Sequence, residues 1–142
     1  MKIDELSAEI QVDSVIDNAE LDREALKIPM LHAKYYRFFI DELRHTKALD
    51  QKLKEVKRAR SDYYLGKADD GVYLDEPLDF KVLKADLDLY LESDAKYSEI
   101  LMRRDLQKMK TQMLEDFIKT INNRSFLINN AIAWQKFKAG LS

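Results

Sequence analysis

Apolar residues recur at helical spacing over most of the chain. Ile3, Leu6 and Ile10 fall on one face of a short N-terminal helix. From about residue 19 to Tyr64 there is no glycine and only one proline, Pro29, where the missing backbone N–H predicts a kink or a new helix start. The helix that follows has apolar positions at Leu31, Tyr35, Phe38, Phe39, Leu49, Leu53 and Val56.

The clearest break in this pattern lies at residues 69–79, which follow Gly66 and combine a glycine, a proline and several acids. This composition predicts an acidic loop. The apolar-rich element beyond residue 80 fits a helix or a strand, with helix favoured. From Asp94 the helical pattern resumes, bends near residues 121–125, and continues into a last helix over residues 125–139 that Gly140 caps.

So few glycines and prolines favour a few long helices over many short strands. We therefore predict an all-α fold forming a single domain, residues 1–142. It comprises N-terminal helices over residues 1–68, the acidic loop, and C-terminal helices over residues 80–142. No stretch of about 20 apolar residues is present, so no membrane association is expected. The absence of cysteine excludes disulfides.

The charge of the chain alternates in blocks. Residues 1–24 carry a net charge of −6, residues 25–68 carry +6, residues 69–95 carry −7, and the remainder carries +5. Such segregation predicts separate positive and negative surfaces. The positive surfaces could attract polyanions, and the negative ones could attract basic partners or the chain's own basic blocks.

The last helix is apolar around much of its circumference, and so needs cover from more than one side. In a short chain a second subunit is a natural source of that cover, and we predict self-association through this helix. The residues concerned are Phe126, Leu127, Ile128, Ala131, Ile132, Trp134 and Phe137.

The C-terminal end of the long helix, "KRARSDYYLG" at residues 57–66, is strongly basic. At 100° per residue, Arg60 and Tyr63 continue the apolar face of this helix. A guanidinium in that position needs an anionic partner or a route to water. The adjoining face is basic and polar, with Tyr64 at its boundary, and consists of Lys54, Lys57, Arg58 and Ser61.

Two interpretations of this basic end remain open. It is either a solvated helix terminus, where the helix dipole favours bases, or a site for single-stranded nucleic acid. In the second case four basic side chains neutralise phosphates: Lys54, Lys57, Arg58 and Arg60. The nucleotide bases stack on Tyr63 or Tyr64.

Three patches of the sequence resemble the UvsY family, the recombination mediators of T4-like bacteriophages. "VKRARSDYYLG" is similar to a signature of the type "LKARLDYYSG", "VLKADLDLYL" to a "VLSADKDVL" run, and "NRSFLINNAIAWQKFKAG" to the family's terminal helix. Arg58 replaces a lysine of the signature, Lys57 and Ser61 replace leucines, and Pro29 is a further departure. The remaining signature positions that match directly are Ala59, Arg60, Asp62, Tyr63 and Tyr64.

The resemblance implies a binding protein rather than an enzyme, without a cofactor. It implies single-stranded DNA and a ring-like homo-oligomer, with the phage RecA-like recombinase and the phage single-strand-binding protein as partners. It also implies a role in recombination, repair and recombination-dependent replication in the cytoplasm of the infected bacterial host. The DNA contacts that it carries over are Arg58 and Arg60. The other candidates, Lys54, Lys57, Tyr63 and Tyr64, come from helix geometry.

The alternative function is that of a helical assembly or scaffold protein whose basic helix pairs with acidic protein surfaces. An enzyme is less favoured, because neither a nucleotide-binding motif nor a catalytic constellation is recognisable. His32 and His45 lack metal-ligand spacing, so no metal site is predicted. We expect Met102, Met109 and Met113 to fill the core.

Overall fold

The computed structural model describes residues 1–141, and it is all-helical over that range. The prediction of an all-α fold is confirmed. The apolar-rich element beyond residue 80 contains a helix and no strand. The α-helices are α1 Ile3–Ser14, α2 Leu21–Leu26, α3 Ile28–Tyr64, α4 Asp70–Asp75, α5 Leu87–Glu92, α6 Ala95–Asn122 and α7 Arg124–Lys138, and a single 3₁₀ turn covers Lys84–Asp86.

The helix boundaries follow from local chemistry. Pro29 lies in the first turn of α3, where an N–H has no intrahelical partner in any case, so the expected new helix start is confirmed. Gly66 and Gly140 both adopt a φ of 75°, which glycine tolerates best. Each follows a helix whose last carbonyls are capped from beyond the glycine, with Lys67 N–H donating to the Asp62 carbonyl at 2.8 Å in the first case.

The contacts divide the chain into two compact units. The first comprises residues 1–43 and the chain from residue 109 onward. Its core is a set of buried side chains centred on Tyr35, whose ring meets Phe117 edge-on at 4.6 Å between centroids. The other core members are Leu6, Leu31, Leu114 and Ile121.

Acidic residues of the first unit pair with the chain's own bases. The Lys34 ammonium donates to Asp13 at 2.7 Å and to Glu9 at 2.8 Å, and the buried Tyr35 hydroxyl donates to Asp13 at 2.7 Å. Burial by itself would raise the pKa of Asp13, but these donors outweigh it and hold that pKa below its usual range. Part of the N-terminal acidic block is thus used within the fold.

The second unit, Arg44–Lys108, contains the basic end of α3 and the predicted acidic loop. The loop is not wholly irregular, since α4 lies inside it, but α4 buries none of its residues. The chain returns to the end of α3 where the Val82 N–H donates to the Tyr64 carbonyl at 2.9 Å. Residues 69–79, called the acidic segment from here on, therefore lie next to the C-terminal end of α3.

None of the helices within residues 1–141 is both long enough and apolar enough to span a bilayer.

Candidate nucleic-acid interface

Arg60 lies inside the second unit. Its exposed fraction is 5%, because it continues the apolar face of α3, as the helical spacing predicted. A buried guanidinium requires compensation, and two carboxylates supply it. Its Nε donates to Asp94 Oδ2 at 2.8 Å, while Nη1 and Nη2 donate to the two oxygens of Glu76 at 2.9 and 3.0 Å.

Asp94 is fixed from three sides. Besides the bond from Arg60, it accepts the Tyr64 hydroxyl at 2.7 Å and, through Oδ1, the Tyr97 N–H at 2.8 Å. The last of these bonds makes Asp94 the N-cap of α6. Burial alone would raise the pKa of Asp94, but the donors outweigh burial and hold that pKa below its usual range.

The pKa of Glu76 is also held below its usual range, here mainly by the hydrogen bonds from Arg60. Lys96 lies 3.5 Å from the same carboxylate. Burial acts to lower the pKa of Arg60, but its bonds to Glu76 and Asp94 raise it overall, so the residue stays charged. The anionic partner that the sequence demanded is thus a pair of carboxylates.

The two tyrosines of the signature are also engaged. Tyr63 is buried, with the Arg60 guanidinium 4.3 Å from its ring centroid and the Tyr73 ring stacked at 5.5 Å. The half-buried Tyr64 packs against Tyr90 at 5.6 Å between centroids. Side chains of this unit already contact these rings, so we revise the prediction that Tyr63 or Tyr64 stacks on DNA bases to one in which they position Arg60 and Asp94.

The prediction that Arg60 contacts DNA is revised for the same reason. Its guanidinium is enclosed, and Asp94 and Glu76 take up the donors that a phosphate would need. A phosphate cannot reach it unless one of these carboxylates leaves.

The other basic side chains near the C-terminal end of α3 face solvent. Lys54, Lys57 and Arg58 are exposed, and within residues 1–141 none of them forms an ion pair. They span about 100° of the helix surface, on the side away from Val56 and Tyr63. We call these three residues the basic face of α3. Its unpaired charges are available to an anionic ligand.

The sequence missed the partners of Arg60. Glu76 lies 16 residues further along the chain and Asp94 lies 34 residues further, so neither shares a helix with it. One signal was present, since both partners lie in the acidic block of residues 69–95, and the alternation of charge had indicated that such a block could attract the chain's own basic blocks. Tyr73, which donates to the Tyr63 carbonyl at 2.8 Å, gave no such signal.

Helix α7 presents two different sides. Ile128 is buried at 2% exposure in the first unit, so it belongs to the core and we withdraw it as an oligomer contact. Ala131 and Ile132 are half-buried. The opposite side is uncovered in the chain by itself, and its exposed apolar residues are Phe126, Leu127, Trp134 and Phe137. We call these four residues the apolar face of α7.

The expectation that methionines fill the core is wrong at two positions. Met102 and Met109 are 66% and 56% exposed, whereas Met113 packs on the core of the first unit. Helical spacing alone did not reveal which of them point inward.

The chain is thus a helical protein whose described residues include an unpaired basic face and an uncovered apolar face. Comparison with known proteins shows which family has this fold. A family model described as "Recombination, repair and ssDNA binding protein UvsY" matches residues 9–141. The chain is 28% identical to the recombination protein uvsY of Enterobacteria phage T4 over 145 residues, which cover 99% of both chains.

Solved structures show the same fold. Crystal structures of the bacteriophage T4 recombination mediator protein UvsY superpose with TM-scores of 0.86 and 0.83, each at 22% identity, and cover 98% and 94% of this chain and 98% of theirs. The chain therefore belongs to the UvsY family of recombination, repair and single-stranded DNA-binding proteins. The resemblance noted in the sequence is confirmed.

Proposed function

We propose that this protein is a phage recombination mediator that binds single-stranded DNA through the basic face of α3. The observation that carries the proposal is the cluster of exposed, unpaired basic side chains Lys54, Lys57 and Arg58, the last two of which lie within the stretch that resembles the family signature. When unpaired lysine and arginine side chains contact DNA phosphates, the counterions condensed on the DNA are released, and this release drives binding irrespective of the DNA sequence.

One basic face is a small footprint. Three bases can neutralise only a few phosphates, so useful affinity calls for several copies on one strand. The apolar face of α7 supports self-association, because large exposed apolar residues on one helix side favour burial against another subunit. A ring-like homo-oligomer would present the basic face repeatedly to a single strand.

Binding of this kind accounts for mediation without an enzymatic step. An oligomer that holds a strand at several points competes with the resident single-strand-binding protein and weakens its hold. The same strand is then offered to the RecA-like recombinase, whose filament draws the equilibrium forward. This takes place in the cytoplasm of the infected host, during recombination, repair and recombination-dependent replication.

The test is a pair of charge-matched double variants. Lys57→Ala with Arg58→Ala removes two charges from the basic face, while Arg103→Ala with Lys119→Ala removes two exposed charges from α6. The first should weaken single-stranded DNA binding and reduce the dependence of log K on log salt by about 0.7 for each phosphate that is no longer neutralised. Equal effects of the two double variants would contradict the assignment of this face.

A further inference from the structure

The two carboxylates on Arg60 differ sharply in exposure. The Asp94 side chain is 3% exposed and bonds Nε, on the inner edge of the guanidinium. The Glu76 side chain is 41% exposed and bonds the outer Nη1–Nη2 edge with both oxygens. Asp94 is therefore the buried partner of Arg60, and Glu76 lies where solvent and ligands can reach it.

The outer edge of an arginine suits either of two anions. Its parallel N–H groups match a carboxylate and a phosphate equally well in geometry. A phosphodiester carries one negative charge, as Glu76 does, so exchanging one for the other leaves the local charge balance unchanged. That balance matters here, because the open cavity of about 590 Å³ beside Arg60 is lined by Lys67 and Lys96 but also by acids. The acids are Asp62, Asp69 and Glu99.

Arg60 would remain oriented if Glu76 left. Asp94 would still hold its Nε, and the Tyr63 ring would still support the plane of the guanidinium at 4.3 Å. The positive charge of Arg60 would still be compensated, because its ion pair with Asp94 would remain. The outer edge is thus a preformed oxyanion site that the chain's own side chain fills.

The segment that carries Glu76 is weakly attached. Helix α4 buries none of its residues, and Leu74 within it is 83% exposed. Besides the Arg60 pair, the segment is attached by the contact of Glu76 with Lys96 of α6 at 3.5 Å, by hydrogen bonds at Tyr73 and Pro77, and by the Tyr63–Tyr73 ring stack. Segments with few buried apolar contacts open at low free-energy cost.

From this geometry we propose that Glu76 is a displaceable stand-in for a DNA phosphate. When single-stranded DNA binds the basic face, a phosphodiester takes the outer edge of Arg60 and the acidic segment is released. Glu76 thereby limits DNA affinity, since its pair with Arg60 must be broken first. This inference rests on the proposed function and adds to it the regulation by Glu76 of Arg60, a DNA contact that the family resemblance implies.

The test compares Glu76→Gln with Asp75→Asn, which removes the same charge from the adjacent exposed position. We expect Glu76→Gln to bind a single-stranded oligonucleotide about tenfold more tightly, the factor for sparing one charge-assisted pair. Asp75→Asn should change affinity less than about twofold, because this exposed carboxylate makes no bond to Arg60 and its charge is screened by water. Equal gains in the two variants, or weaker binding by Glu76→Gln, would overturn the inference.

A third variant distinguishes a specific effect of the Glu76–Arg60 pair, called the latch, from a general destabilisation of the acidic segment. In an Arg60→Lys background the bidentate edge is absent, so Glu76→Gln should give no further gain. A gain that persists in that background overturns the proposal.

A measurement on the unaltered protein avoids the risk that a variant fails to fold. On saturation with the oligonucleotide, hydrogen exchange should speed up at the Val72 and Glu76 amides, which donate to Asp69 and Val72 carbonyls. Unchanged or slower exchange would refute release of the segment. If the unaltered protein binds no single-stranded DNA, the proposed function itself fails. If it binds through the basic face but Glu76→Gln has no specific effect, only the latch fails.

Discussion

Removal of the Asp94 carboxylate should be among the most destabilising single changes in the second unit. Asp94 compensates the buried charge of Arg60, accepts the Tyr64 hydroxyl and caps α6 through the Tyr97 amide. These three interactions converge on a side chain that is 3% exposed, so water cannot replace them. Two substitutions separate the contributions.

Asp94→Asn keeps a capping oxygen and the side-chain shape but removes the charge. We expect it to cost about 2–3 kcal/mol, the range for hydrogen bonds to a charged group. Asp94→Ala also removes the cap. It leaves Arg60 with only the partly exposed Glu76, and its cost should be about 4–6 kcal/mol, combining a broken buried ion pair with a missing N-cap. That is a large share of the about 5–15 kcal/mol that stabilises a typical domain.

The assay is urea unfolding of both variants, followed by circular dichroism at neutral pH. Asp88→Ala is a suitable control, because this exposed acid on α5 should change stability by less than about 0.5 kcal/mol. An Asp94→Ala cost below about 1.5 kcal/mol would mean that water reaches Arg60 when Asp94 is gone, and that the buried charge does not depend on this carboxylate. Equal costs for Asn and Ala would refute the capping role.

Three further predictions follow from the geometry. The pKa of Asp94 is lower in the folded than in the unfolded chain, so its stabilising effect is present above about pH 4 and is lost as the pH falls below that value. A urea midpoint that stayed constant from neutral to strongly acidic pH would contradict this. Trp134→Ala with Phe137→Ala should lower the solution mass without unfolding the chain, since both are exposed, and unchanged mass in light scattering would remove α7 from the interface. Gly66→Ala should cost about 1–2 kcal/mol, because its φ is 75° and an added Cβ would lie 2.6 Å from Cε of the Lys81 side chain, which must move. Gly71→Ala, inside α4 and in open space, should be neutral or stabilising by up to about 1 kcal/mol in thermal unfolding.

The sequence was a good guide wherever one helix decides the outcome. The start of α3 one residue before Pro29 and the cap at Gly140 follow from backbone chemistry that acts within a few residues. The position of Arg60 on the apolar face follows from the 100° advance per residue, and this position correctly predicted that it needs an anionic partner.

The same reasoning could not say which anion that partner is. In the sequence, a DNA phosphate was one candidate for the anionic partner of Arg60. In the fold, Glu76 and Asp94 are that partner. Contacts between elements far apart in the chain depend on tertiary packing, which no local pattern encodes. The tyrosines are the same case, since Tyr73 and Tyr90 cover the rings that the sequence left open.

Helix α7 shows that helical spacing does not tell which side of an apolar helix faces the core. The surplus apolar surface was correctly foreseen, but spacing could not tell Ile128, which packs inward, from Trp134 and Phe137, which face outward. A truncation before Phe126 would remove both sets and so mix folding with assembly. Substitution of the outward residues alone is the cleaner test.

Lysine-reactivity footprinting shows directly whether single-stranded DNA lies on the basic face of α3. Lys52, Lys54 and Lys57 are all exposed on the same helix, but Lys52 points to the side away from the other two. Acetylation of each lysine is measured by mass spectrometry with and without a saturating single-stranded oligonucleotide. DNA should protect Lys54 and Lys57 and should leave Lys52 and the α6 residue Lys119 reactive. Equal protection of all four, or protection that spares Lys54 and Lys57, would contradict it.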